Sequence, residues 1–206
     1  AAFLGRAEET GDLFNRLEIG KSECCHGHLN QYPVIYIDFS EIPENCVSYR
    51  EYISRVLEGL KQDLSEAFPG IVMDTGISVW DVLKHVFRKA GKKFVFVIDE
   101  WDSIFHMSFI TEEDKKAYLL FLKSLLKDKV YVKFVYMTGV LPIAKYSSAS
   151  ELNMFVEYDM TVMERFSDCF GFVEKEVDHL FDIYLQTTKG PKITRKDLEV
   201  WYDGYY

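Results

Sequence analysis

Positive charge is what this chain has least of relative to need: 24 Lys and Arg against 33 Asp and Glu leave 206 residues with a formal charge of −9. That excludes a broad cationic face for condensing nucleic acid, though not a local basic patch. Cysteine is scarce too. Cys24, Cys25, Cys46 and Cys169 have no framework spacing, and no N-x-[ST] sequon occurs, so nothing points to an oxidising compartment and the chain reads as cytoplasmic. No apolar run approaches the roughly 18 to 20 residues of a membrane-spanning helix, and the opening AAFLGRAEETGD is too short and too acidic for a signal peptide. Internal repeats and low-complexity tracts are absent, which excludes solenoids. No G-x-S-x-G elbow supports a hydrolytic nucleophile.

What is present is core material: 48% of residues are hydrophobic and 16% aromatic. Strand-like runs occur at 34–39, 94–98 and 130–137. Between them lie three capped helical patterns. Ser48 with Glu51 opens the first, whose stripe is Ile53, Val56, Leu57, Leu60 and Leu64; it ends at Pro69-Gly70. Ser78 with Asp81 opens the second, with Val82, Leu83, Val86 and Phe87 inward and Gly91 as C-terminal cap. Thr111 with Asp114 opens the third, with Tyr118, Leu119, Leu122, Leu125 and Leu126 inward. A shorter helix is expected over 7–19, carrying Leu13, Phe14, Leu17 and Ile19. Strands alternating with helices imply a mostly parallel sheet covered on both faces, with ligands at the carboxyl ends of the strands. Beyond residue 140 the pattern becomes loop, a strand-like piece at 155–163, and helices near 173–187 and 195–202. The expected division is an α/β core over 1–145 and the start of a small C-terminal helical subdomain over 146–206.

The stretch FVFVIDEWDS carries the chemistry. Its apolar run ends in Asp99 and Glu100, the pattern of a Walker B strand in P-loop ATPases: the first acid aims at phosphate-bound Mg²⁺ and the second can polarise a water. An acidic turn after a buried strand produces the same pattern. Thr138, ending the third strand in MTGV, sits where such ATPases keep a polar sensor for the γ-phosphate.

A G-x-x-x-x-G-K-[ST] phosphate loop is missing. Gly20-Lys21-Ser22 is the one Gly-Lys-Ser, but NRLEIGKS places Asn15 at the first glycine and an apolar stripe between, so it reads as a decoy. The expectation is that the Walker A strand and loop precede Ala1, with residues 1–10 as the tail of its helix. CCHGH at 24–28 gathers two thiols and two imidazoles, yet adjacent cysteines followed at once by histidines are poorly spaced to surround zinc.

FLGRAEETGDLFNRLEIG, YPVIYIDFS, FVFVIDEWDSIF, MTGVLPIAKY, ELNMF, FGFVEKEV and WYDGYY, in this order and spacing, resemble the bacterial AAA-ATPase-like proteins. The resemblance implies a P-loop NTPase-like three-layer α/β/α fold with the Asp-Glu strand beside the Walker A strand, a C-terminal PD-(D/E)XK nuclease-like domain in the parent protein, and ATP and Mg²⁺ as cofactors. Nucleotide is the implied partner; nucleic acid enters only through the nuclease-like domain, and no membrane is involved. Carried over by residue, Asp99 is the Mg²⁺ ligand, Glu100 the base, and Thr138 sensor-like. Asp102 and Arg165 are expected near the cofactor, Lys145 and Asn153 lie in matching segments, and Trp101 matches an aromatic without a definite role. The implied activity is ATP hydrolysis driving an attached effector; the alternative is a nucleotide-sensing or interaction module with little turnover.

Overall fold

The computed structural model describes residues 1–6, 9–23, 25–71, 77–143, 152–158, 166, 171–190 and 192–202. Among these, three single helical turns, α1 (Gly11–Phe14), α2 (Glu18–Lys21) and α3 (Cys25–His28), lead into β1 (Val34–Asp38). Then come α4 (Tyr49–Ala67), α5 (Val79–Ala90), β2 (Phe94–Asp99), a 3₁₀ turn (Ser103–His106), α6 (Glu112–Leu126) and β3 (Val132–Met137). Last are α7 (Glu174–Thr187) and α8 (Arg195–Tyr202). The chain divides into two compact units, Ala1–Phe155 and Val156–Tyr206.

The long helices start where their caps place them. The hydroxyls of Ser48, Ser78 and Thr111 accept from the amides of Glu51, Asp81 and Asp114, each satisfying a donor the first turn leaves open. At Thr111 the Asp114 carboxylate bonds back to the cap amide, 3.0 Å, completing a capping box. Gly91, at φ 67°, ends α5 in the left-handed conformation that glycine adopts without cost.

The sheet is parallel in the order β1-β2-β3, with Asp38 paired to Asp99 and Ile98 to Met137. Side chains alternate across it. Ile35, Ile37, Phe39, Phe94, Phe96 and Ile98 form one core with the inward stripes of α4, α5 and α6. The Phe39 ring meets Tyr118 of α6 edge-on, and the Tyr52 hydroxyl of α4 donates to the Phe39 carbonyl at 2.8 Å. The opposite face carries Tyr36, Phe134 and Tyr136, which are 53, 53 and 45% exposed. On that face Val95, paired with Phe134, is buried, so the face is covered in part.

Four expectations are corrected. Residues 11–21 form two separate turns, not one helix, and Leu13 and Leu17 stay 66 and 51% exposed. Gly20 explains the break: a Cβ there would collide with the Phe14 carbonyl, so the turns fold closely on each other. Residues 1–6 are not a continuing helix. After one turn Gly5 bridges Tyr32 in parallel, and Asn30, at φ 54°, bonds both Gly5 and Thr10. Residues 155–158 are not a strand, the remainder of that piece lying outside the described residues. Finally, β2 has β1 on one edge and β3 on the other, so no further strand can lie beside it.

In the second unit, Thr194 and Asp197 cap α8 reciprocally, and Arg195 pairs with Asp178 of α7 at 2.7 Å.

Candidate functional site

The carboxyl ends of the three strands bring Tyr36, Asp99 and Thr138 onto one face of the sheet, because Tyr36 pairs with Val97 and Val97 with Tyr136. Asp99 is the focus. Its Oδ2 accepts from the Tyr36 hydroxyl at 3.1 Å, and its Oδ1 accepts from the Thr138 hydroxyl and from the Glu100 amide, the latter at 3.1 Å. Thr138 in turn extends the ladder, its amide donating to the Ile98 carbonyl at 2.9 Å and its carbonyl accepting from Trp101 at 3.0 Å.

These bonds favour the ionised carboxylate. The Thr138 hydroxyl is the largest influence lowering the Asp99 pKa, the Tyr36 hydroxyl and Glu100 amide add to it, and partial desolvation opposes them. The hydrogen bond to Asp99 is likewise the first cause raising the Tyr36 phenol, which stays a donor. A carboxylate depressed on folding contributes stability above its unfolded pKa and loses it as pH falls through the folded value. Asp99→Asn is therefore expected to flatten the acid limb of the stability curve below the ordinary carboxylate range. Denaturant midpoints from pH 7 down to pH 2 check this; parallel limbs for both proteins would contradict it.

Glu100 has φ 50°, unusual for a residue with a side chain and costing on the order of 1 kcal/mol. The sequence holds an acid where backbone geometry favours glycine. Glu100→Gly is expected to leave stability within about 1 kcal/mol of the parent or raise it, whereas Glu100→Val, β-branched, is expected to cost more than about 1 kcal/mol. Urea midpoints of both variants decide the point.

The residues that follow lock the turn. Trp101 and Asp102 are each 2% exposed. The Tyr118 hydroxyl donates to the Trp101 carbonyl at 2.7 Å, and the indole meets Phe105 edge-on. The Asp102 carboxylate accepts from the Val140 amide at 3.2 Å and the Leu141 amide at 2.7 Å, fastening the loop after Thr138. Gly139 lets that loop close, since a Cβ there would strike the Asp102 carboxylate and the Trp101 ring. Gly139→Ala is expected to cost about 1 to 3 kcal/mol in denaturant unfolding; an unchanged midpoint would show that the ring and carboxylate move aside.

Asp99, Glu100 and Thr138 thus meet at one point, with Asp102 directly behind. Asn153 does not join them; its Oδ1 accepts from Lys127, in the turn entering β3, at 2.6 Å. Arg165 and Lys145 lie outside the described residues. The Gly20-Lys21-Ser22 amides are not a cradle: Gly20 donates to Leu17 and Ser22 to Ile19, and Lys21 pairs with Glu18. In CCHGH, Cys25 is buried and the His28 ring bonds the Tyr32 hydroxyl, while Cys24 lies outside the described residues. Tyr36 escaped the sequence reading. Its signal was an exposed aromatic two positions before the end of an otherwise buried strand.

A single carboxylate can serve a metal that brings most of its other ligands with it. Among the described residues no three His, Cys, Asp or Glu side chains gather closely enough to cage an ion. Mg²⁺ needs no such cage, since it keeps several waters and takes further oxygens from phosphates, so Asp99 with one or two neighbours suffices.

A parallel α/β domain with a hydrogen-bonded acid at the carboxyl end of its central strand defines the class. The family described as predicted AAA-ATPase (AAA-ATPase_like) matches residues 1–148, and the chain belongs to it. No curated protein and no solved structure matches the chain. No described helix is long and apolar enough to cross a membrane.

Proposed function

We propose that this domain binds ATP with Mg²⁺ and hydrolyses it in the cytoplasm to drive an attached effector. The observation that carries the reading is the Asp99 carboxylate, held ionised by Tyr36, Thr138 and the Glu100 amide at the carboxyl end of the central strand. Asp99 would hold the metal. A Mg²⁺ ion held there would supply positive charge against that of the bound phosphates. Glu100, one residue on, makes no side-chain hydrogen bond or ion pair among the described residues, and it accepts the proton of the attacking water. Thr138 orients Asp99 and stands ready to meet the γ-phosphate, while Asp102 acts behind them as a positioning residue.

The phosphate cradle is proposed to come from residues outside 1–206. Two features support this. Parallel sheets are covered on both faces, yet here Tyr36, Phe134 and Tyr136 leave one face open beside Asp99. Residues 3–6 run along the amino end of β1's outer edge, bonding Asn30 and Tyr32, which leaves the outer edge of β3, next to Thr138, for the strand that carries the loop. A nuclease-like domain, acting on nucleic acid, is the proposed effector. Phosphate release by the full-length protein, with and without Mg²⁺, tests the reading: Mg²⁺-dependent release is expected, and none in either condition would overturn it.

A further inference from the structure

A second feature lies at the other end of the sheet. A recess of about 410 Å³ is lined by Gly27, Gln31, Tyr32, Lys92, Lys93 and Lys133. Tyr32 precedes β1, Lys93 immediately precedes β2 and Lys133 is the second residue of β3, so the recess sits at the amino ends of the strands, a strand length from Asp99.

Three lysines line this recess, and among the described residues none of them makes an ion pair or a side-chain hydrogen bond. In a chain carrying nine more acids than bases, by 33 minus 24, that is an arrangement chance would not favour. Helix electrostatics explains the neighbouring Arg88 and Lys89, which lie in the last turn of α5 where cations are stabilised. It does not explain Lys92 and Lys93, which follow the left-handed Gly91 cap, nor Lys133.

Lys133 owes its place to a bulge. Phe94 pairs with Val132 but Val95 pairs with Phe134, so Lys133 is the extra residue, with no partner across the ladder. Bulges re-aim a side chain in this way, and Lys133 lines the recess. The opposite wall is fixed, because the Tyr32 hydroxyl bonds His28 Nδ1 at 2.8 Å and the two rings stack.

We propose that this recess binds a compact anion bearing two or more negative charges, of the class of diphosphates and phosphate esters. Three rotatable ammonium donors around a space of small-ligand size satisfy dispersed phosphate oxygens. A nucleic-acid strand fits less well, since it needs a cationic track longer than one recess on an otherwise acidic protein.

The test titrates inorganic pyrophosphate into the full-length protein carrying Asp99→Asn, without Mg²⁺, by calorimetry. Pyrophosphate held by the phosphate cradle of the nucleotide site is indifferent to lysines at the other end of the sheet, so the lysine dependence makes the two readings fail separately. Saturable binding is expected, weakened about tenfold or more by Lys93→Glu or Lys133→Glu, close to parental in Lys133→Arg, and reduced as salt rises. Thermal unfolding of each variant confirms that these exposed substitutions leave the fold intact; Lys133→Gln serves in place of any that does not fold. Absent binding, or binding indifferent to the charge reversals, overturns the proposal. So does a single-stranded oligonucleotide that binds far more tightly than pyrophosphate with the same lysine dependence.

Discussion

Glu100→Gln in the full-length protein is expected to lower ATP turnover at least about 100-fold while nucleotide affinity stays within a few-fold of the parent. The substitution keeps the volume and leaves the amide that bonds Asp99 in place, so the metal-holding side of the site is undisturbed. What it removes is the capacity to take a proton from water. The positive φ at residue 100 makes the contrast sharper, because Gln and Glu meet the same backbone strain and any change in rate cannot come from relieving it. Loss of binding together with turnover would mean that Glu100 holds the fold or the ligand. Turnover unchanged would remove Glu100 from the chemistry.

Asp102→Ala is expected to cost about 2 to 4 kcal/mol of stability, the largest effect of any polar substitution near the site. The carboxylate is 2% exposed and takes two amides of the loop behind Thr138. Removing it orphans the Leu141 amide and leaves a hole against Trp101; the Val140 amide, on an exposed residue, can turn to water. Asp102→Asn keeps one acceptor and is expected to cost roughly half as much. Because the loop positions Thr138, both variants should also lower turnover, and do so less than Glu100→Gln. A cost below about 1 kcal/mol for the alanine variant would show that the loop is held by other contacts.

What could be read from the sequence was the local chemistry. The caps at Ser48, Ser78 and Thr111 are decided within four residues, and the structure shows each one. Three strands in parallel followed from apolar runs alternating with helices, and the position of Asp99 at the end of one followed from where the run stops. Distant partners were not legible. The Tyr36 bond to Asp99 spans 63 residues and exists because of strand register. Asp102 was expected near the cofactor from the family resemblance; the amides it accepts from lie 38 and 39 residues away, which no local pattern shows. The apolar residues within 7–19 suggested a helix because periodicity ignores close approach of backbones, which Gly20 imposes. The strand order was misjudged because a sequence of elements does not say which edge of β2 is already taken.

The most direct measurement is equilibrium binding of ATP to the full-length protein, with Mg²⁺ and without it, for the parent and for Asp99→Asn. The account predicts Mg²⁺-strengthened binding in the parent and the loss of that strengthening in Asp99→Asn. ATP that fails to bind the full-length protein, or that binds with the same Mg²⁺ dependence after Asp99 is replaced, would contradict it.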